Sequence, residues 1–248
     1  MISVTILTKN CGQTLSATLE SLRDFPEVLL LDTGSTDNTL QVAKTFPNVT
    51  IHQKEFIGFG PTHNIATSLA KNDWILSIDS DEVLSEELIR EIQALSLCKD
   101  TVYSLQRHNY YNGKHIRWCG GWHPDPVVRL YHRQHTRFSD DAVHEKVLTQ
   151  GLKLKTLISP LFHTPYREMG DFLSKMQTYS TLFAQQHKGH KKASLFSAIY
   201  HSLYAFFKSY VLKRGFLGGK EGFIISVYNS HTTFYKYVKL WEAQNTRD

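Results

Sequence analysis

The chain has 248 residues, 41% of them hydrophobic and 21% charged, with a mean hydropathy of -0.31. That is enough apolar material for a large core and too much for a disordered chain. Cys11, Cys98 and Cys119 are odd in number and unevenly spaced, which argues against a disulfide framework or a cysteine zinc site and fits a reducing cytoplasm. The net charge of +5 conceals an asymmetry: residues 1–150 carry -4, whereas residues 151–248 carry +9 and 18 of the 30 aromatic residues. An acidic front and a basic, aromatic tail are expected to meet different partners.

Residues 2–8 (ISVTILT) read as a buried strand, and Asn10-Cys11-Gly12 breaks it. Helical spacing over 13–24 follows, then a strand at 27–32 (EVLLLD) and a turn at Thr33-Gly34-Ser35. Thr36 is placed to cap a helix carrying Leu40, Ala43 and Phe46. A third strand spans 48–52, a loop 58–61 and a helix 62–71. The fourth strand, 73–78 (DWILSI), ends in Asp79-Ser80-Asp81-Glu82, after which Ser85 caps a helix bearing Leu88, Ile89 and Ile92. This alternation predicts an α/β fold with a largely parallel sheet covered by helices. Ligands of such sheets bind beyond the C-terminal strand ends, where Asp32, Asp79 and Asp81 fall.

Beyond residue 100, short β-like stretches (101–107, 126–132, 144–148, 153–158) alternate with Gly, Pro and His-rich loops. Helical spacing returns from about 168. Segment 193–214 sets Phe196, Ile199, Tyr200, Leu203, Phe207, Tyr210 and Val211 on one face, the pattern of an amphipathic helix. The expected division is 1–165 for the α/β domain and 166–248 for a helical extension. The N-terminus lacks the pattern of a secretory signal, and no apolar run reaches the length of a spanning helix.

Asp79-x-Asp81, just past an apolar strand, has the oxygen ligands that Mg2+ or Mn2+ prefers; a capped turn explains the same residues. Asp32, followed by Gly34, suits either a nucleotide contact or a helix cap, and Asn10 lies in the same layer.

Thr8-Lys9-Asn10, LLLDTGSTDNT (29–39), GFGPTHN (58–64) and WILSIDSDE (74–82) resemble the nucleotide-sugar domain of glycosyltransferase family 2. RLYHR (129–133), VHEKV (143–147), His163 and GFLGGKEGF (215–223) resemble its branch of lipopolysaccharide inner-core beta-1,4-glucosyltransferases. The resemblance implies a GT-A fold, a mixed sheet with flanking helices, and inverting transfer of a hexose from a nucleotide-diphosphate sugar such as UDP-glucose. It further implies a divalent metal held by Asp79 and Asp81, donor contacts at Thr8, Asn10, Asp32 and Asp79, and a lipid-linked saccharide acceptor. Arg129 suits pairing with the donor diphosphate, with an anionic acceptor or within the protein. Three positions depart from the pattern: Cys11 stands where many relatives carry Glu, His63 replaces Lys or Arg, and Gly218 is often Asp.

Glu145 resembles the family's late acidic motif and is the first candidate for the base that deprotonates the acceptor hydroxyl; Asp125 is the second. Trp118 and Trp122 flank Gly120-Gly121, so Trp122 with His123 is a candidate acceptor platform, although core packing explains a tryptophan equally well. Lys188, Lys191, Lys192, Lys208, Lys213, Arg214 and Lys220 surround the amphipathic helix and suit an anionic inner-membrane surface, as a peripheral protein on its cytoplasmic face. The acidic front and the absence of a recognition motif argue against nucleic acid. Two other classes fit parts of the pattern: Asp79-Ser80-Asp81-Glu82-Val83 resembles the nucleophile loop of haloacid-dehalogenase-like phosphatases, and a non-catalytic sugar-binding module would need fewer intact residues.

Overall fold

A computed structural model of the chain describes residues 1–141 and 145–245; Val143 and His144 of the VHEKV motif lie outside them. Two compact units emerge, Met1–Arg107 with Asp125–His163, and His108–Pro124 with Thr164–Asp248.

The first unit begins with β1 (Ile2–Thr8), α1 (Leu15–Glu20), β2 (Glu27–Asp32), α2 (Thr39–Ala43), β3 (Val49–Gln53), α3 (Phe59–Leu69) and β4 (Trp74–Asp79). It continues with β5 (Glu82–Leu84), α4 (Glu86–Gln93) and β6 (Thr101–Tyr111), whose last residues belong to the second unit and pair there with β7 (Lys114–His115). Strands β8 (Pro126–His132) and β9 (Lys153–His163) complete it. The strand order is β3-β2-β1-β4-β8-β6-β9-β5. Only β1 to β4 are parallel; β8 runs antiparallel to both β4 and β6, and β5 to β9. The largely parallel sheet expected from the alternation is thus confined to the first half, because after α4 the strands are joined by loops rather than by crossover helices.

Both faces of the parallel half are covered, which is why β2 is an unbroken apolar run apart from its two ends. Val4, Ile6, Val28 and Leu30 pack on one side with Leu15 and Leu19 of α1 and Ala43 of α2. Leu29, Leu31 and Ile75 pack on the other with Ala66 of α3. Each such leucine or isoleucine contributes about 1.5–3 kcal/mol by its burial. Helix α3 starts at Phe59, earlier than the 62–71 pattern, and the first turn fits because Gly60 has no Cβ. A Cβ there would lie 1.9 Å from the carbonyl oxygen of Ser139.

Local capping follows the sequence at Ser85, whose Oγ accepts the Leu88 N–H at 3.1 Å. It departs at Thr36: helix α2 starts only at Thr39, and Asp37 accepts the Thr39 N–H at 3.0 Å. A carboxylate two residues before that amide is the stronger acceptor, so it takes the role expected of Thr36. The strand expected at 144–148 is reduced, among the described residues, to one bridge between Phe138 and Val147.

The second unit holds α5 (Met169–His187), α6 (Leu195–Phe207) and α7 (Gly219–Asn245), with a π-helical turn (Lys208–Leu212) and a 3-10 turn (Gly215–Gly218) between the last two. Its core gathers Tyr111, Ile116, Trp122, Phe172 and Ile225. Helix α6 buries its small residues, Ala198 and Ser202, with the Ser202 carbonyl accepting from Ser230 Oγ of α7 at 2.9 Å. Its large residues Leu195, Phe196, Ile199, Tyr200, Leu203 and Phe207 are exposed. Among the described residues no helix is long and apolar enough to cross a membrane.

Candidate active site

The strand order reverses between β1 and β4, since β2 and β3 lie on one side of β1 and β4 on the other. That reversal opens a crevice beyond the C-terminal ends of these strands. The register fixes what borders it: Thr8 is level with Asp32, and Leu7 with Asp79.

On the β1–β2 side, Asp32 is fully buried. Its Oδ2 accepts the N–H groups of Gly34 and Ser35 at 3.1 and 3.0 Å, and its Oδ1 accepts the hydroxyls of Thr8 and Ser35. Burial raises the cost of this charge, but the hydrogen bonds outweigh it and hold the carboxyl below its ordinary range. Asp32 therefore shapes the loop from inside. Asn10 stands above it in a left-handed conformation, φ 52°, with Oδ1 accepting the Thr36 N–H at 2.8 Å. The edge left exposed is that of Asn10 and Thr36. Cys11 adds backbone: its N–H donates to Thr39 Oγ1 at 2.8 Å, and burial pushes its thiol up.

On the β4 side, Asp79 and Glu82 share Arg129 of β8. Arg129 Nη2 donates to Asp79 Oδ2 and to Glu82 Oε1, the latter at 2.8 Å. Arg107 of β6 joins them, with Nη1 3.3 Å from Glu82 Oε1 and 4.0 Å from Asp79 Oδ2, while its Nε donates to Asp125 Oδ2 at 2.7 Å. Glu82 closes the turn by accepting the Asp79 N–H at 2.9 Å. Burial works against charge on both carboxylates, yet they part company. At Asp79 the surrounding groups, Arg129 first among them, together outweigh it and hold the carboxyl at about 2. Glu82, with no exposed surface, is pushed up by that burial. Asp81 points elsewhere, its Oδ2 3.5 Å from His163 Nε2, a meeting set by the pairing of Glu82 with His163 across β5 and β9.

The structure thus brings together Asp79, Glu82, Arg107, Asp125 and Arg129. Arg129 is 6% exposed and serves the carboxylates from beneath, so its guanidinium is engaged inside the protein rather than turned outward to a donor. Glu82 and Arg107 were not among the sequence candidates; the acidic run 79–82 named Glu82 without a role, and nothing in the linear pattern pairs residue 107 with 79. Glu145 is half-buried, two residues before Val147. His63 is buried in α3, its ring stacked on Phe138 at 4.3 Å and its Nδ1 3.3 Å from Ser77 Oγ. Burial pushes it down to about 4, so it is neutral near pH 7 and no substitute for a fixed cation.

In the second unit, Trp122 is 8% exposed and packs among Tyr111, Phe172 and Ile225. The platform expected of it is filled by core, because its ring completes the smaller unit's apolar centre. His123 is exposed and lies edge-on to His108 and His115.

A divalent cation fits the oxygen donors present in one respect and not in another. Asp81 offers a partly exposed carboxylate and Asp79 a second whose Oδ2 is already engaged. Among the described residues no set of three or more His, Cys, Asp or Glu is placed to hold a metal ion. The protein side accordingly suits an ion that takes its remaining ligands from substrate phosphates and water, the habit of Mg2+ and Mn2+.

A parallel half-sheet with carboxylates at the switch point, continued by antiparallel strands, is the GT-A arrangement of nucleotide-sugar transferases. The profile of "Glycosyl transferase family 2" matches residues 3–151, and the chain belongs to that family. It is 28% identical to an uncharacterized glycosyltransferase of Rickettsia prowazekii (strain Madrid E), over 96% of this chain and 86% of the relative. It is 24% identical to the lipopolysaccharide core biosynthesis glycosyltransferase LpsC of Rhizobium meliloti (strain 1021), over 97% and 92%. The mannosyltransferase PcManGT from Pyrobaculum calidifontis, solved with GDP-Man and Mn2+, shares the fold with a TM-score of 0.55 at 16% identity, over 97% of this chain and 87% of that one. Family membership leaves the phosphatase reading of the Asp79–Val83 loop without support.

Proposed function

We propose that this chain is an inverting, metal-dependent hexosyltransferase that moves glucose from UDP-glucose onto an inner-core sugar of a lipid-linked saccharide. The observation that carries the reading is the register at the sheet's switch point, which sets the Asn10–Thr36 loop and the Asp79–Asp81 turn along one edge. The likeness to LpsC over nearly the whole of both chains supports the acceptor class.

In this reading Asn10 and Thr36 meet the nucleoside, with Asp32 and Thr8 holding their loop. Asp81, with the free oxygen of Asp79, would hold the cation, which when bound supplies positive charge at the diphosphate leaving group. Glu145 takes the proton of the acceptor hydroxyl as that oxygen bonds to the anomeric carbon, from the side opposite the breaking bond to the diphosphate. Asp125 keeps Arg107 aligned on Glu82 and is the second choice for the base.

The outward-facing side chains of α6 support the membrane reading. A helix that buries Ala198 and Ser202 and exposes Phe196, Ile199 and Leu203 turns a row of large apolar side chains to solvent. Lys191, Lys192 and Arg214 lie exposed at its two ends. We read this as a surface that settles into the headgroup boundary of an anionic bilayer.

Thermal unfolding with UDP-glucose, UDP-GlcNAc and GDP-mannose, each with and without Mn2+, tests the proposal. A ligand at a hundred times its Kd adds about 2.7 kcal/mol, or about 5–10 °C for a chain of this size. Stabilisation by UDP-glucose that needs Mn2+ is expected; no response to any nucleotide sugar overturns the reading.

A further inference from the structure

The second unit contains a cavity of about 370 Å3 that the proposed transfer does not use. Its walls are the Cys119–Gly121 loop, the π-helical turn after α6, and the middle of α7. Three lysines line it, Lys208, Lys213 and Lys236, and no acidic side chain does. Among the described residues none of the three forms a salt bridge.

The π turn explains how two of these lysines come to share a wall. Lys213 N–H donates to the Lys208 carbonyl at 2.8 Å, a bond spanning five residues. In an α-helix of 3.6 residues per turn, positions five apart point to well-separated sides; the wider turn brings them nearly into line. The loop opposite is held by the Cys119 N–H donating to the Lys213 carbonyl at 3.1 Å and by Ser209 Oγ donating to the Cys119 carbonyl at 3.1 Å. Gly120 and Gly121 both have positive φ, 72° and 75°, and a Cβ on Gly120 would lie 3.1 Å from the Lys213 side chain. Among the described residues the amides of these two glycines have no hydrogen-bond acceptor.

Thr232 lines the cavity as well, but its Oγ1 has no surface that a water-sized molecule reaches, so the hydroxyl stays inside the wall. Lys236 is half-buried, with its Nζ 5.5 Å from the Phe183 ring. Burial pushes its ammonium down, a penalty that a bound anion relieves.

We infer that this cavity binds a phosphomonoester. Three lysines in its walls, with no acidic side chain among the described lining residues, match the double charge of a phosphate better than the single charge of a carboxylate. The space exceeds that of an inorganic ion and leaves room for the sugar or glycerol to which the phosphate is attached. The inference needs neither the donor site nor the transfer reaction, so its failure and theirs are separable.

The experiment uses the full chain with glucose 6-phosphate as a soluble probe, followed by titration calorimetry and by the 31P resonance. Wild type is expected to bind it, and inorganic phosphate less tightly. Lys208→Gln/Lys213→Gln is expected to weaken binding at least about tenfold. Lys213→Gln alone is expected to weaken it severalfold without loss of thermal stability, since that side chain is exposed. Vesicles of phosphatidylcholine with phosphatidic acid, against phosphatidylglycerol at equal surface charge, separate the sources. A preference for phosphatidic acid that the lysine pair abolishes assigns the phosphate to a lipid headgroup; glucose 6-phosphate binding without that preference assigns it to a phosphorylated saccharide. No binding of glucose 6-phosphate by wild type, or equal affinity in both variants, overturns the inference.

Discussion

Replacing Arg129 by methionine keeps the length of the side chain and removes the cation under the strand-end carboxylates. Arg129 is 6% exposed and Glu82 has no exposed surface, so the change leaves one fully buried carboxylate and its partly exposed neighbour without their shared guanidinium. Breaking a buried pair in this way costs about 3–5 kcal/mol. Arg107 still reaches Glu82 at 3.3 Å, which places the expected loss at the lower end, about 3 kcal/mol. That is a large share of the roughly 5–15 kcal/mol that holds a domain together.

The loss carries a pH signature. Burial already raises the Glu82 carboxyl above its ordinary value, and without Arg129 it rises further. A carboxyl whose folded pKa lies above its unfolded one takes up a proton on folding, so the deficit of the variant shrinks as pH falls toward the unfolded value. Urea unfolding from about pH 8 to about pH 5 should show the gap between wild type and Arg129→Met narrowing, and Glu82→Gln in the same chain should restore most of it. A cost below about 1 kcal/mol, or a gap that neither pH nor Glu82→Gln alters, refutes the claim that Arg129 exists to hold these carboxylates.

His63 gives a second pH test: a histidine held at about 4 in the fold and near 6.5 when unfolded loses stability as pH falls between those values, by about 3 kcal/mol in full. His63→Asn should flatten that slope, and an unchanged slope assigns it to other groups. Glu145→Gln should lower kcat by about a hundredfold or more while leaving UDP-glucose binding intact, whereas Asp125→Asn, which frees Arg107, should cost less; the reverse order exchanges their roles. Phe196→Asp/Leu203→Asp should abolish co-sedimentation with phosphatidylglycerol vesicles at a stability cost within about 0.5 kcal/mol per site, since both side chains are exposed. Retained co-sedimentation removes α6 as the membrane surface.

Where burial dictated the residue types, the sequence was readable. Strands β1, β2 and β4 are apolar because helices cover both sheet faces, and Ser85 announces α4 because its hydroxyl meets an orphan amide. Where the deciding partner is remote in the chain, it was not. Glu82 acquires its burial from Arg107 and Arg129, 25 and 47 residues onward. The three-residue β5 carries no period to detect. Trp122 offered the same aromatic ring to a ligand or to a core, and only the packing of Phe172 and Ile225 beside it decides. Residues 108–124 join the C-terminal helices through pairings such as the Cys119 amide with the Lys213 carbonyl, for which the linear pattern has no counterpart. Helix α6 inverts the usual rule: its apolar periodicity was plain, but the face that packs is the small one.

The acidic front of the chain takes a more definite meaning from the cluster at β4. Among the described residues, Asp79, Glu82 and Asp125 are paired with two permanent cations, Arg107 and Arg129, and Asp81 lies beside His163. His63 is neutral near pH 7. Even with a proton on Glu82 the balance there stays negative. A diphosphate brought to such an edge meets like charge, and both guanidiniums there are already paired with carboxylates. The departures at Cys11 and His63 do not change this sum, because neither position supplies a cation. In the proposed transfer, the cation held with Asp81 would supply the positive charge that the diphosphate meets there. That is why the requirement for Mn2+ in the thermal-shift experiment bears on the mechanism itself and not only on the identity of the nucleotide.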